Sequence, residues 1–201
     1  MELKFLDQAK NFTTVSANTA GAEFDPATNN CLNAVAQGDG ESNRDGRKYI
    51  VKSVWVKGAA YLVGKTDEAD AATGTVCRVL VVQDTQTNGA QLNSEDVLVD
   101  QGTTTDFLSF RNLQYEKRFR ILADKTITLD YTNSQTDGTN TGSIAGQMKA
   151  FSIYKRLNMP VTCTATTAPI ASISDNSLHV IAIAQSADVQ IAYNSRIRFV
   201  G

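Results

Sequence analysis

The 201 residues include one histidine, one tryptophan, three prolines and three cysteines, and each scarcity excludes something. His179 has no second imidazole with which to build a histidine metal site. It lies in an apolar strand pattern with no Ser-His-Asp spacing around it, so it reads as structural. Trp55 sits inside a strand-like run, a thin basis for a sugar-stacking platform. Cys31, Cys77 and Cys163 are odd in number and far apart. They match neither a disulfide framework nor zinc spacing and read as buried free thiols. No apolar run reaches the roughly 18 residues of a membrane span. The opening MELKFLDQAK is charged and has no apolar centre, so no secretory leader is read there. No block of Lys and Arg occurs, and the formal net charge is -2. A chain so charged is not expected to coat nucleic acid on its own.

Two glycine motifs also fall short. Gly64-Lys65-Thr66 ends like a phosphate loop, but Ala59 stands where its first glycine belongs. Gly38-Asp39-Gly40 lacks the third glycine and the following helix of a dinucleotide site. Carboxylates gather at Asp67, Glu68 and Asp70 and again at Glu95, Asp96 and Asp100. Their spacing fits no EF-hand, and they read as solvated loop charge. No catalytic residue, metal site or cofactor is therefore expected, and the chain does not read as an enzyme.

What is present suits one globular domain over residues 1–201. Hydrophobic residues make up 42% and charged residues 20%, which argues against wholesale disorder. Acidic side chains outnumber basic ones seven to three over residues 1–46. The order reverses, five basic to two acidic, over 149–201.

The most informative stretch is Gln37 to Gly58. A glycine-rich turn and an Arg44-Asp45-Gly46-Arg47-Lys48 corner lead into a β-branched and aromatic run, as a loop hands over to a long strand. Strands are predicted at 47–57, 75–83, 118–131, 148–157, 160–166, 178–184 and 189–200, with one or two more near the N-terminus. In the last, Ile191, Tyr193, Ile197 and Phe199 share one face and Asn194, Arg196 and Arg198 the other. Residues 58–75 read as loop around a short apolar island, and 133–146 as an exposed loop. Asn88-Gly89 marks a turn. Short helices are predicted only at 30–36 and 94–98. Basic Arg111, Lys117, Arg118 and Arg120 flank Phe107, Phe110, Tyr115 and Phe119, and these aromatics are predicted to fill the core with the charges at its rim. With no βαβ rhythm, the pattern predicts an all-β fold, a two-sheet antiparallel sandwich of eight strands.

Several phrases then line up in order. They are Glu2-Leu3-Lys4-Phe5 with Asp7, Leu32-Asn33-Ala34-Val35 with Gln37-Gly38, Arg44-x-Gly46-Arg47-Lys48, the run Arg78 to Asp84 with Asn88-Gly89 and Asp96-Val97-Leu98, and Arg118-Phe119-x-Ile121-Leu122-x-Asp124-Lys125. Together, over roughly residues 2–130, they resemble the jelly-roll capsid proteins of small circular Rep-encoding single-stranded DNA viruses, the circovirus-like group. The resemblance implies an eight-stranded antiparallel jelly-roll sandwich, a structural, non-enzymatic subunit in a virion, an icosahedral homo-oligomer of roughly sixty copies, a packaged single-stranded DNA and no membrane insertion. Loops at 58–75, 89–107 and 133–146 become candidates for subunit contacts. Family members carry a long Arg/Lys-rich arm ahead of the Glu-Leu-Lys segment, and this sequence starts at that segment. Without such an arm, DNA is expected to bind weakly or not at all. The residues expected to face nucleic acid are Lys4, Lys10, Arg47 and Lys48. A carbohydrate-binding, lectin-like jelly-roll module is the alternative.

Overall fold

Strand-forming residues are used in two patterns, alternating and continuously apolar, and the continuously apolar strands all lie in one sheet. The computed structural model describes residues 2–15, 31–65, 74–92, 94–99, 106–132 and 144–201. In chain order the strands are β1 (Lys4–Thr14), β2 (Lys48–Leu62), β3 (Thr75–Asp84), β4 (Phe119–Leu129) and the short β5 (Tyr131–Thr132). There follow β6 (Ala145–Gly146), β7 (Met148–Cys163), β8 (Ile173–Asp175), β9 (Ser177–Ala184) and β10 (Val189–Val200). One large sheet has the order β1-β10-β2-β7-β8, and a smaller one the order β4-β3-β9. All neighbouring strands in both are antiparallel.

The small sheet has a further neighbour. Cys31 forms an isolated antiparallel bridge with His179, and the Leu32 amide donates to the Leu178 carbonyl at 2.8 Å. The segment at 31–32 therefore occupies the position beyond β9. Five strands of the large sheet face four strand positions of the small one across the core, and apart from the β3–β4 and β7–β8 pairs the sequence neighbours sit in opposite sheets, a jelly-roll arrangement.

The alternating strands build the large sheet. In β10 the inward set Ile191, Tyr193, Ile197 and Phe199 is buried and Asn194, Arg196 and Arg198 are exposed, as the alternation predicts. The continuously apolar strands, β3 and β9, lie inside the small sheet, and its edge strand β4 carries exposed Arg120, Asp124 and Thr128 between buried Phe119, Ile127 and Leu129. β9 is buried at every position and β3 at nearly every one. One side of each meets the core between the sheets, where Cys77, Val79, Val81, Val180 and Ala182 pack with Val54, Val56, Ile191 and Phe199. Leu80, Val82, Ile181 and Ile183 point the other way into a second core. Fully burying each such side chain contributes about 2 kcal/mol.

Three expectations are corrected. β2 continues through Ala59–Leu62, where a loop was predicted. Gly58 does not end the strand: a Cβ there would lie 2.5 Å from the Ala192 carbonyl oxygen and from the Phe151 ring, so it marks a close approach of chains. The predicted strands at 148–157 and 160–166 are one strand, β7. A bulge opposite Val51 and Ser53 absorbs the irregular residues. Pro160 is tolerated because β8 pairs with β7 only at Thr162 and Cys163. Residues 31–36 form no helix. Asn33 is buried there, accepting from the Leu178 amide at 2.7 Å and donating to the Asn176 carbonyl at 2.9 Å. The short helix expected at 94–98 is present as α1 (Ser94–Val97). Asn88 and Gly89 both take positive φ, 51° and 71°, as the turn signal requires. Residues 66–73 of the loop predicted at 58–75, residues 133–143 of that predicted at 133–146, the cluster Asp67, Glu68 and Asp70, and Asp100 lie outside the described residues.

The three cysteines are buried and free. Burial pushes the Cys31 and Cys77 thiols up to about 12, so both stay protonated and unreactive at neutral pH.

Candidate functional site

Two surfaces and one buried network concentrate polar or exposed apolar groups. The first surface is the outer face of the large sheet. Directly opposed residues in a ladder share a face, so the register gives its rows. Phe5, Arg198, Ser53 and Arg156 form one; Asp7, Arg196, Trp55 and Tyr154 the next; Ala9, Asn194, Lys57 and Ser152 the third. In these rows stand Arg156, Arg196, Arg198 and Lys57 against one carboxylate, Asp7, together with Phe5, Trp55 and Tyr154.

Arg196 grips Asp7 with both nitrogens, Nε to Oδ1 at 2.6 Å and Nη2 to Oδ2 at 2.5 Å. The hydrogen bond from Arg196 holds the Asp7 carboxyl below its usual range, with burial opposing. The same guanidinium lies 5.2 Å from the centre of the Phe5 ring. Trp55 is fixed edge to face against Tyr154, with ring centres 6.4 Å apart, and its Nε1 donates to Ser152 Oγ at 2.9 Å. The Lys57 ammonium sits 4.8 Å above the indole. Asp7, Trp55, Lys57, Asn194 and Arg196 line an open groove of about 420 Å³.

The second surface lies on the opposite side of the molecule. Between β3 and β4 the chain crosses the outer face of the small sheet. The underside of this excursion, Leu92, Val97, Leu98 and Phe107, completes the second core with Phe119 from β4. Arg78 of β3 bolts it down. Its guanidinium pairs with Asp124 at 2.9 and 2.6 Å and donates to the Ser109 carbonyl at 2.6 Å. Two backbone bonds, Val99 to Phe110 at 2.9 Å and Asn112 to Val97 at 2.8 Å, close a small antiparallel contact. The crest of this buttressed element carries Phe110, Leu113 and Leu108, exposed by 81%, 71% and 62%. The prediction that Phe107, Phe110, Tyr115 and Phe119 fill the core holds for Phe107 and Phe119. Phe110 and Tyr115 stand on the outside because the excursion turns over at the crest.

The buried network runs along the end of the small sheet. His179 Nε2 is 2.7 Å from Ser177 Oγ, and Thr87 Oγ1 donates to the same oxygen at 2.8 Å. Asp84, fully buried, accepts from Arg118 Nε and Nη2 at 3.0 Å each and from the Gln86 amide at 2.9 Å. Residue types of a hydrolytic triad thus lie near one another. Ser177, His179 and Asp84 are at most 1% exposed, however, and His179 Nδ1 has no hydrogen-bond partner among the described residues. A substrate cannot reach this serine, and nothing orients the imidazole as a base. The network holds β3 to β9. Burial lowers the His179 imidazole from 6.5 to about 4, with the Asp84 charge pulling weakly the other way.

The residues expected to face nucleic acid are not gathered in one place. Lys4 is 6% exposed and its ammonium pairs with Asp45 at 2.5 Å. Lys10 is half-buried on β1 opposite Tyr193, six residues or about 20 Å further along the strand. Arg47 and Lys48 are exposed where the chain enters β2. The corner before them is organised by Arg44, which is fully buried. Its guanidinium donates to the carbonyls of Val35 (3.0 Å), Gly46 and Ala165. Sequence reasoning missed the cationic rows because their members come from four strands distant in sequence. The one available signal was the exposed face of β10, where Arg196 and Arg198 alternate with core residues.

Among the described residues no group of His, Cys, Asp and Glu has the arrangement of a metal site, and no helix is long and apolar enough to cross a membrane. No protein-family model matches the sequence, and no curated protein does. The fold and its surfaces define an all-β jelly-roll sandwich with one polar, aromatic sheet face and one apolar crest.

Proposed function

We propose that this chain is a structural capsid subunit, of the kind found in small circular single-stranded DNA viruses, that assembles with copies of itself into a closed shell. The observation that carries the reading is the crest of the β3–β4 excursion. Exposed apolar groups held on a rigid support mark a surface made to be covered. Here the support has its own core and the crest keeps Phe110, Leu113 and Leu108 in solvent. The jelly-roll arrangement and the ordered phrases along residues 2–130 support the same reading. In a closed shell each subunit meets several neighbours, so modest contacts repeat into a stable whole.

Purified protein examined by sedimentation and electron microscopy is expected to form regular particles. The double variant Phe110→Ser, Leu113→Ser is expected to abolish them while leaving monomer stability within about 0.5 kcal/mol, since both side chains are exposed. A parent protein that stays monomeric at high concentration would overturn the proposal.

The sheet groove favours a second reading, a carbohydrate-binding module. Trp55 is 39% exposed despite lying in a strand, beside Asp7 and Asn194. A stable monomer that binds neutral sugars at this groove would support it in place of the shell.

A further inference from the structure

The net charge of -2 averages over a segregated surface. In the three central rows of the large sheet Asp7 is the only carboxylate, and Arg196 already satisfies it. Arg156, Arg198 and Lys57 have no ion-pair partner among the described residues. Between them stand Trp55 and Tyr154, both more than a third exposed.

We propose that this face binds single-stranded nucleic acid without the help of a basic arm, with bases stacking on Trp55 and Tyr154 and phosphates drawn to Arg156, Arg198 and Lys57. The proposal takes its biological setting from the capsid reading, where it identifies the sheet that meets the packaged strand. The binding itself is a property of one subunit.

Charge selects a polyanion, and the aromatic rings select among polyanions. A duplex keeps its bases stacked and a sulfated polysaccharide has none, so neither gains from an exposed indole. A single strand gains about 1–3 kcal/mol per base stacked on an aromatic side chain. The platform is preorganised. Trp55 is held by its hydrogen bond to Ser152 and by the Tyr154 ring, so little freedom is lost on stacking. Lys57 covers the indole in the free protein. Stacking a base there moves the ammonium off the ring towards the adjoining phosphate, exchanging a cation–π contact for an ion pair. Successive rows lie two residues apart along the strands, about 6.8 Å, and neighbours within a row about 4.8 Å apart, so cations flank the rings on both sides as a nucleic-acid strand crosses the sheet.

Trp55 is the only tryptophan, so intrinsic fluorescence reports on this face alone. Oligothymidylate added to unassembled subunit at low salt is expected to quench that fluorescence saturably. Anisotropy of a labelled oligonucleotide then measures the variants. Arg156→Ser with Arg198→Ser should weaken binding at least tenfold and flatten the salt dependence by about 0.7 per cation removed. Arg156→Lys with Arg198→Lys should restore most of it. Trp55→Ala should weaken binding about tenfold or more, and Trp55→Phe much less. Unchanged circular dichroism serves as the folding control.

Absence of quenching, equal affinity for heparin or duplex DNA, or indifference to the paired Ser substitutions overturns the proposal. Particle formation is scored separately. Particles from a chain that shows no quenching overturn this proposal and leave the shell standing. Quenching by a chain that never assembles does the reverse.

Discussion

The two sheets face solvent in opposite ways. The small sheet hides much of its outer face under the β3–β4 excursion, and its inner strands β3 and β9 carry apolar residues on both sides. The large sheet leaves its central rows open and alternates apolar with polar. The covered sheet carries the second core, and the open sheet carries the exposed cations and rings. One sandwich thus assigns added stability to one side and recognition to the other. The difference follows from what covers each sheet, not from strand propensity, which is similar in both.

Leu98→Ala tests the division most severely. It removes a fully buried side chain from the second core and is expected to cost about 3–4 kcal/mol. Tyr154→Ala, in the open rows, should cost less than about 1 kcal/mol. Urea midpoints of the two variants measure the contrast, and equal losses would erase it.

Acid should weaken the small sheet next. The unfolded chain takes up a proton on His179 from about pH 6.5 downwards, whereas the folded chain does so only near 4. Stability attributable to this group is therefore complete above pH 6.5 and lost as pH falls towards 4, by up to about 3 kcal/mol. His179→Leu should flatten the difference between urea midpoints at pH 7 and pH 4.5. A slope that survives the substitution assigns the acid sensitivity elsewhere.

A smaller effect is expected at the rim of the same sheet. Arg118→Leu leaves the Asp84 carboxylate buried with, among the described residues, only the Gln86 amide to serve it, at a cost of about 2 kcal/mol, reduced by the partial exposure of Arg118. Asp84→Asn in the Arg118→Leu background should recover part of that loss in a thermal melt.

The division was partly legible in the sequence. The unbroken TVCRVLVVQ and LHVIAIA runs announced strands covered on both sides, and β10 announced its two faces residue by residue. The excursion that does the covering was not legible. Its crest and its underside are both apolar, and only the fold separates Phe107 from Phe110. Gly58 and Pro160 misled for a related reason. As local signals both mean interruption, whereas the sheet used one for a close approach and the other beside a nearly unpaired edge. The cationic rows were invisible because register brings together Arg156 and Arg198, which sequence keeps apart, while the net charge reported only their sum with the acids elsewhere.

Arg44 has a consequence for how the molecule comes apart. A permanent positive charge sits inside the protein with three carbonyl oxygens, from residues 35–46 and from Ala165, as its solvent. Water must replace those oxygens before either stretch can leave, so residues 35–46 and the turn at Ala165 let go as one unit. Amide protons at Gly38 and Arg44, both bonded within that unit, should then exchange at the rate of global unfolding, although they belong to a surface loop.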